Sequence, residues 1–224
     1  MSGPVTVVIA DDDHLMRAGL AELLGADDTI HVVGEAADGR QAIETVISRK
    51  PDVVLMDIRM PETDGITATR ELTRAAPASR VLILTTFEDD DYVLDALRAG
   101  ASGFLLKRTR PEELIAAVHT VAAGDSLLSP SVARRVIDHI ATQPARSPES
   151  GPGHQPAPLT AREREVLDQL ALGLSNREIA SALVVEESTI RTHVKRILMK
   201  LGLRDRIHAV IYAYETGLLK PGNR

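Results

Sequence analysis

The stretch PDVVLMDIRMPETDG, residues 51–65, decides the fold. Val53, Val54, Leu55 and Met56 form a short apolar run opened by Pro51-Asp52 and closed by Pro61 and Gly65. An apolar run this short between turn signals reads as a buried strand rather than a helix. Asp57 follows directly at its C-terminal end. In open parallel α/β sheets, ligands bind outside the carboxyl ends of the strands. A single Asp there is as readily an ordinary polar strand end, so its meaning rests on what surrounds it.

Working outward, similar runs recur at Val5–Ala10, His31–Gly34, Val81–Thr85 and Gly103–Leu106. Helical spacing separates them. It covers His14–Leu24 with Leu15, Ala18, Leu23 and Leu24 on one face, and Gln41–Ile47 with Ala42, Ile43, Val46 and Ile47. Further helices are expected over Asp64–Ala75, over Asp89–Ala99 with Gly100 as its stop, and over Pro111–Ala123 with Gly124 at its end. Five strands alternating with five helices predict an α/β unit with a parallel sheet covered on both faces.

The strand ends then carry a pattern. Asp11, Asp12 and Asp13 follow the first strand, Asp57 the third, Thr85-Thr86 the fourth and Lys107 the fifth. In a parallel sheet these ends share one edge. Carboxylates converging there repel one another and call for a cation. With oxygen donors only, and few of them, Mg²⁺ is the expected ion. A lysine and a hydroxyl beside such a carboxylate make a site for a phosphoryl group, which the carboxylate can accept covalently. Asp13 is expected to be an acidic neighbour rather than a ligand.

The rest of the chain differs in character. Net charge is −6 overall, but residues 1–140 carry 14 Lys/Arg against 23 Asp/Glu, whereas residues 159–224 carry 11 against 8. An acidic front and a basic back suggest different partners. Between them, Thr142–Pro158 holds five of the twelve prolines and no apolar periodicity, and reads as a semi-extended linker after a helix at Ser131–Ile140. The expected division is 1–124, a connecting segment 125–158, and 159–224. No apolar run is long enough to span a membrane. Met1–Pro4 lacks a signal-peptide pattern, and the absence of cysteine suits a reducing compartment, so a cytoplasmic location is expected. Aromatic content of 2% argues against a base-stacking platform for single strands.

Residues 159–224 read as four helices. Thr160 with Glu163, and Ser175 with Glu178, are capping boxes that open the first two. Ser188 is expected to precede a long helix, Thr189–Leu201, with Ile190, Val194, Ile197, Leu198 and Leu201 inward. Ser188, Thr192, Lys195, Arg196 and Met199 then face out, with Arg191 at the edge. Gly202 ends this helix, and Arg204-Asp205 starts a last one with Ile207, Val210, Ile211 and Tyr214 as its stripe. Two short helices in sequence, the second basic on its free face, fit a helix-turn-helix over about 175–194. A solvated basic face fits that pattern equally well.

Family resemblance adds to both readings. Residues 1–124 resemble the receiver domain of bacterial two-component response regulators through IADDDH (Ile9–His14), LMDIRMPETDG (Leu55–Gly65), ILTTF (Ile83–Phe87) and AGASGFLLK (Ala99–Lys107). The resemblance implies a flavodoxin-like sheet of order 2-1-3-4-5. It implies Asp57 as phosphoacceptor and Asp11 with Asp12 as the acidic pair. Asp12, Asp57 and the backbone carbonyl of Arg59 are implied to hold Mg²⁺. Lys107 is implied to pair with the phosphoryl group, Thr85 to be the mobile hydroxyl and Phe104 the aromatic switch. Arg108 stands where many receivers have proline. Leu159–Arg206 resembles the LuxR-type helix-turn-helix domain, and the combination is that of the NarL/FixJ regulators. Base readers are then Arg191, Thr192 and Lys195, and phosphate contacts Asn176, Thr189 and Arg196. Ile207, Val210, Ile211 and Tyr214 are implied to be the dimer contact.

The implied protein is a transcription regulator, phosphorylated by a sensor histidine kinase, that binds double-stranded promoter DNA as a homodimer. It is not an enzyme beyond its own phosphorylation and dephosphorylation. A phosphatase of the haloacid-dehalogenase type also uses a strand-end Asp and Mg²⁺, but needs a second Asp two residues on, where Arg59 stands. A second domain that binds a protein instead of DNA is the other alternative. Steep salt dependence of DNA binding would separate the two.

Overall fold

Aliphatic and β-branched runs, spaced by amphipathic helices, assemble into one parallel sheet. The computed structural model describes residues 3–86, 90–125, 158–216 and 218. The chain divides into two compact units, Met1–Leu127 and Leu128–Arg224. In the first, the order is β1 (Val5–Ala10), α1 (His14–Gly25), β2 (Ile30–Ala36), α2 (Gly39–Arg49) and β3 (Val53–Met56). It continues with α3 (Gly65–Ala75), β4 (Arg80–Thr85), α4 (Asp90–Ala99), β5 (Gly103–Leu106) and α5 (Pro111–Ala122). The sheet order is β2-β1-β3-β4-β5 and each pairing is parallel. This is the flavodoxin-like order that the receiver resemblance implies.

All four residues of β3 are buried, as a central strand covered on both faces requires. Val7, Ile9, Leu55, Leu82 and Leu84 pack with Leu20 and Leu24 of α1 and with Leu114, Val118 and Val121 of α5. The alternate residues Val8, Val54 and Ile83 are equally buried. By the two-residue period of a strand they face the opposite side.

Two helix faces need correction. Leu15 is 80% exposed and Ile47 is 47% exposed, although spacing alone placed both with the core. Ala18 is exposed as well, Leu20 joins Leu24 as an inward residue of α1, and Ala42 and Val46 are inward on α2 as expected. Apolar residues one position off the stripe satisfy a sequence pattern equally well, and only packing separates them. β2 is also longer than expected, with a register shift opposite Val7 and Val8. The expected helix at Ser131–Ile140 and the linker up to residue 157 lie outside the described residues, as do Phe87 and Asp89.

In the second unit the elements are α6 (Ala161–Ala171), α7 (Asn176–Leu183), α8 (Glu187–Leu201) and α9 (Arg206–Glu215). Both capping boxes form, Thr160 with Glu163 and Ser175 with Glu178. Val166, Leu167, Leu170, Ile179, Ile190, Ile197, Ala209 and Ala213 make one core from all four helices. α8 begins earlier than expected. Glu186 is its N-cap, without a side-chain cap bond, and Ser188 lies inside the first turn. Val184 makes the turn between α7 and α8 in the left-handed region, at φ 54°. α9 begins at Arg206 because Asp205 caps it, accepting from the N–H groups of Ile207 and His208. Burial alone would raise the Asp205 carboxyl, but His208 and these two N–H groups hold it below its ordinary value. Among the described residues no helix is long and apolar enough to cross a membrane.

Candidate functional site

The C-terminal edge of the sheet brings together the residues that the strand ends announced. Asp11 is 2% exposed, Asp57 7%, and Thr85 is fully buried. Burying a charged group is costly unless it is paired, and here both carboxylates pair with one lysine. Lys107 Nζ lies 2.6 Å from Asp11 Oδ2 and 2.8 Å from Asp57 Oδ2. Asp11 Oδ1 accepts from the Asp13 N–H at 3.0 Å, and Asp57 Oδ1 from the Ile58 N–H at 2.7 Å. One lysine therefore faces two buried carboxylates, with the exposed Asp12 beside them. Burial pushes the Asp11 carboxyl above its ordinary value, with the nearby Asp57 charge adding to it. Burial would lower the Lys107 ammonium, but its bonds to Asp11 and Asp57 hold it above its ordinary value. The two shifts run upward for different reasons, burial for Asp11 and the two carboxylate partners for Lys107.

Ligand atoms of Asp11, Asp12 and Asp57 all lie within 4.8 Å of one another. Such a set of hard oxygens fits a small divalent cation. Asp12, unlike the other two, spends neither carboxylate oxygen on a hydrogen bond within the described residues. Asp13, expected as a mere acidic neighbour, is the N-cap of α1, accepting from the Leu15 and Met16 N–H groups. The preference of Asp for N-cap positions was the signal for that role.

The loop after Asp57 is fixed by backbone contact. The Gly65 N–H donates to the Ile58 carbonyl at 2.9 Å. A Cβ at Gly65 would stand 1.9 Å from the Asp57 carbonyl oxygen, so only glycine admits this approach of α3 to the strand end. Arg59 lays its guanidinium over the Tyr92 ring of α4 at 5.5 Å. A cleft of about 660 Å³ runs from Asp12 past Arg59 and Met60 to Thr67, Tyr92 and Asp95. On the other side, Thr85 ends β4 and its carbonyl accepts from the Lys107 N–H at 2.8 Å. Phe104 on β5 pairs with Ile83 and is 3% exposed. Having no hydroxyl, it is held in this position by burial alone.

Comparison with known proteins decides the family. Residues 7–119 match the response regulator receiver domain, and residues 157–213 match the bacterial regulatory proteins of the luxR family. The chain belongs to the response regulators. It is 41% identical over 218 residues to the uncharacterized transcriptional regulatory protein YxjL of Bacillus subtilis (strain 168), covering 96% of this chain and 98% of that one. Among solved structures it resembles the response regulator ChrA of a heme-sensing two-component system, at 38% identity and a TM-score of 0.53, covering 97% of this chain and 100% of that one. It also resembles RcsB in a structure of two RcsB dimers bound to two parallel DNAs, at 26% identity and a TM-score of 0.55, covering 95% and 99%. A receiver followed by a LuxR-type domain makes this response regulator a DNA-binding transcription regulator.

The outward face of α8 in this response regulator carries Thr189, Arg191, Thr192, Lys195 and Arg196, all exposed. Arg191 is held by Glu187 at 2.7 Å, one turn earlier. Asn176 is different: it is half-buried, and its Oδ1 accepts from Arg206 Nη1 at 3.1 Å, joining the starts of α7 and α9. Behind the outward face, Lys200 reaches Glu163 at 2.7 Å, tying α8 to the capping box of α6. Lys200, and then the Thr160 N–H, hold the buried Glu163 carboxyl down at about 2. Sequence reading recognised the box but not the lysine, because the two are joined only by the fold. Of the stripe on α9, Ile207 is 5% and Ile211 6% exposed within the single chain, while Val210 and Tyr214 are partly buried. The Tyr214 hydroxyl donates to the Ala171 carbonyl at 3.1 Å, so this side chain also serves the packing of α9 on α6.

Proposed function

We propose that the protein accepts a phosphoryl group on Asp57 from a sensor histidine kinase and binds promoter DNA under its control. The observation that carries this reading is the strand-end cluster. A buried Asp57 carboxylate, Lys107 between it and Asp11, and an exposed Asp12 stand at the edge where Thr85 also ends. An Asp57 oxygen attacks the phosphorus of the donor, an O–P bond forms, and the N–P bond to the kinase histidine breaks. The departing imidazole keeps the electron pair and takes a proton. Asp12, Asp57 and the Arg59 carbonyl would hold Mg²⁺, which when bound would supply positive charge against the transferred oxygens. Lys107 turns from the Asp57 carboxylate toward one of these oxygens, and the Thr85 hydroxyl donates to another. Phe104 then fills the space that Thr85 leaves. A ligand shifts a two-state element only through such differential contacts.

The chemistry is confined to the chain itself, so the protein is not an enzyme acting on a separate substrate, and its place is the cytoplasm. On DNA, Arg191, Thr192 and Lys195 read base edges, and Asn176, Thr189 and Arg196 contact phosphates. A homodimer forms on phosphorylation or DNA binding through α9. Use of Ile207 and Ile211 in that contact requires that they first be uncovered, whereas Val210 is partly open already.

The test is phosphorylation by acetyl phosphate with Mg²⁺, read by intact mass. The wild-type protein gains one phosphoryl increment and Asp57→Asn gains none, with its thermal unfolding preserved. Equal gain in Asp57→Asn places the acceptor elsewhere.

A further inference from the structure

We infer that Arg17 is a positioning residue for Asp12 and thereby sets the cation affinity of the strand-end site. This rests on the metal-dependent reading of that site.

Asp11 and Asp57 are tied down on every side. Their backbone N–H groups donate to the Ala36 and Ala10 carbonyls at 3.1 and 2.8 Å, and their carboxylates are bonded as described. Asp12 has one tether: among the described residues its single hydrogen bond is the one its carbonyl accepts from Arg17 Nη1, at 3.3 Å. The same Nη1 donates to the Asp11 carbonyl at 2.7 Å. One guanidinium nitrogen thus bridges successive carbonyls and sets the peptide plane from which the Asp12 side chain departs. Arg17 itself is held. Its side chain is 13% exposed, its own N–H donates to the carbonyl of Asp13, the N-cap of α1, and its Nε lies 3.6 Å from Glu35 at the end of β2. The site is therefore braced from the neighbouring strand through a residue outside the carboxylate set.

The sign of the effect separates positioning from charge. A guanidinium beside a cation site repels the cation, so if charge alone mattered, removing it would tighten binding. Positioning predicts the opposite. Arg17→Lys keeps the charge but cannot bridge the two carbonyls and meet Glu35 at the same time. Arg17→Met loses both.

The experiment measures Mn²⁺ binding to the full chain by loss of the free-ion paramagnetic resonance signal. It also measures the rate of phosphorylation by acetyl phosphate against Mg²⁺ concentration. For both variants the half-saturating ion concentration should rise about tenfold, the usual scale for a residue that orients a ligand. The rate at saturating Mg²⁺ should stay within about twofold of wild type, because the ground-state site is what loosens. Binding as tight as, or tighter than, wild type in Arg17→Lys or Arg17→Met overturns the inference. A lower number of binding sites at an unchanged midpoint means general loss of structure and overturns it as well. No saturable, Asp12-dependent binding to the wild-type protein overturns the metal-dependent reading together with the inference. Wild-type binding with unaffected variants overturns the inference alone.

Discussion

At the strand ends of the receiver, Asp11 and Asp57 are almost wholly buried and share one lysine at 2.6 and 2.8 Å. On α8 of the second unit, Lys195 and Arg196 stand exposed. Under the proposed function, the two regions meet phosphate chemistry in different ways. A covalent acceptor needs its charges desolvated and fixed before the donor arrives, so each oxygen is already bonded. A DNA-reading face needs charges that can reach many phosphates, and the nucleic acid supplies the partners. Errors at the buried groups of the first region should therefore be close to all-or-none, and errors on the exposed face of the second graded.

The largest break in this contrast is expected at Gly65. Gly65→Ala places a Cβ against the Asp57 carbonyl. Overpacking against backbone should destabilise the receiver by about 3 kcal/mol, measured by denaturant unfolding, and should remove phosphorylation with it. On the graded side, Lys195→Ala should weaken DNA binding by about 1–3 kcal/mol if Lys195 reads a base. Fluorescence anisotropy over a salt series checks this. A uniform loss over all sequences, with the salt slope reduced by about one, would instead make Lys195 a phosphate contact.

Within the DNA-binding unit, Glu163 is a small-scale copy of the receiver logic, a buried carboxylate pinned by a lysine. Its folded pKa of about 2 lies below the ordinary 4.5. The unfolded chain therefore takes up the proton first. The stabilisation is complete above pH 4.5 and is lost as pH falls toward about 2. Calorimetry of residues 159–224 should show this acid loss, and Glu163→Gln should flatten it while keeping the helix cap. The smallest effect is expected at Val184, which is 89% exposed in a left-handed conformation that a β-branched residue resists. Val184→Asn should raise stability by about 1 kcal/mol, since Asn tolerates that region and little packing is lost.

The same contrast governs what was legible in the sequence. Strand runs and their ends were readable because a parallel sheet sends every carboxyl end to one edge, which placed Asp11, Asp57, Thr85 and Lys107 together. The helix caps at Thr160 and Ser175 were readable because they are local. Leu15 and Ile47 were misplaced because apolar spacing allows neighbouring stripes. The start of α8 was missed because Glu186 caps it without a side-chain bond. Arg17 and Lys200 escaped because each acts on a site brought near only by folding.

The most direct test joins the two regions. DNA affinity of the full chain, on a duplex obtained by affinity selection from random sequence, should be measured with and without beryllofluoride and Mg²⁺ as a phosphoryl mimic. The account predicts a gain of about tenfold for the wild-type protein, within the usual range of coupling between sites, and none for Asp57→Asn. Equal wild-type affinity in both conditions, or an equal gain in Asp57→Asn, would contradict control of DNA binding through Asp57.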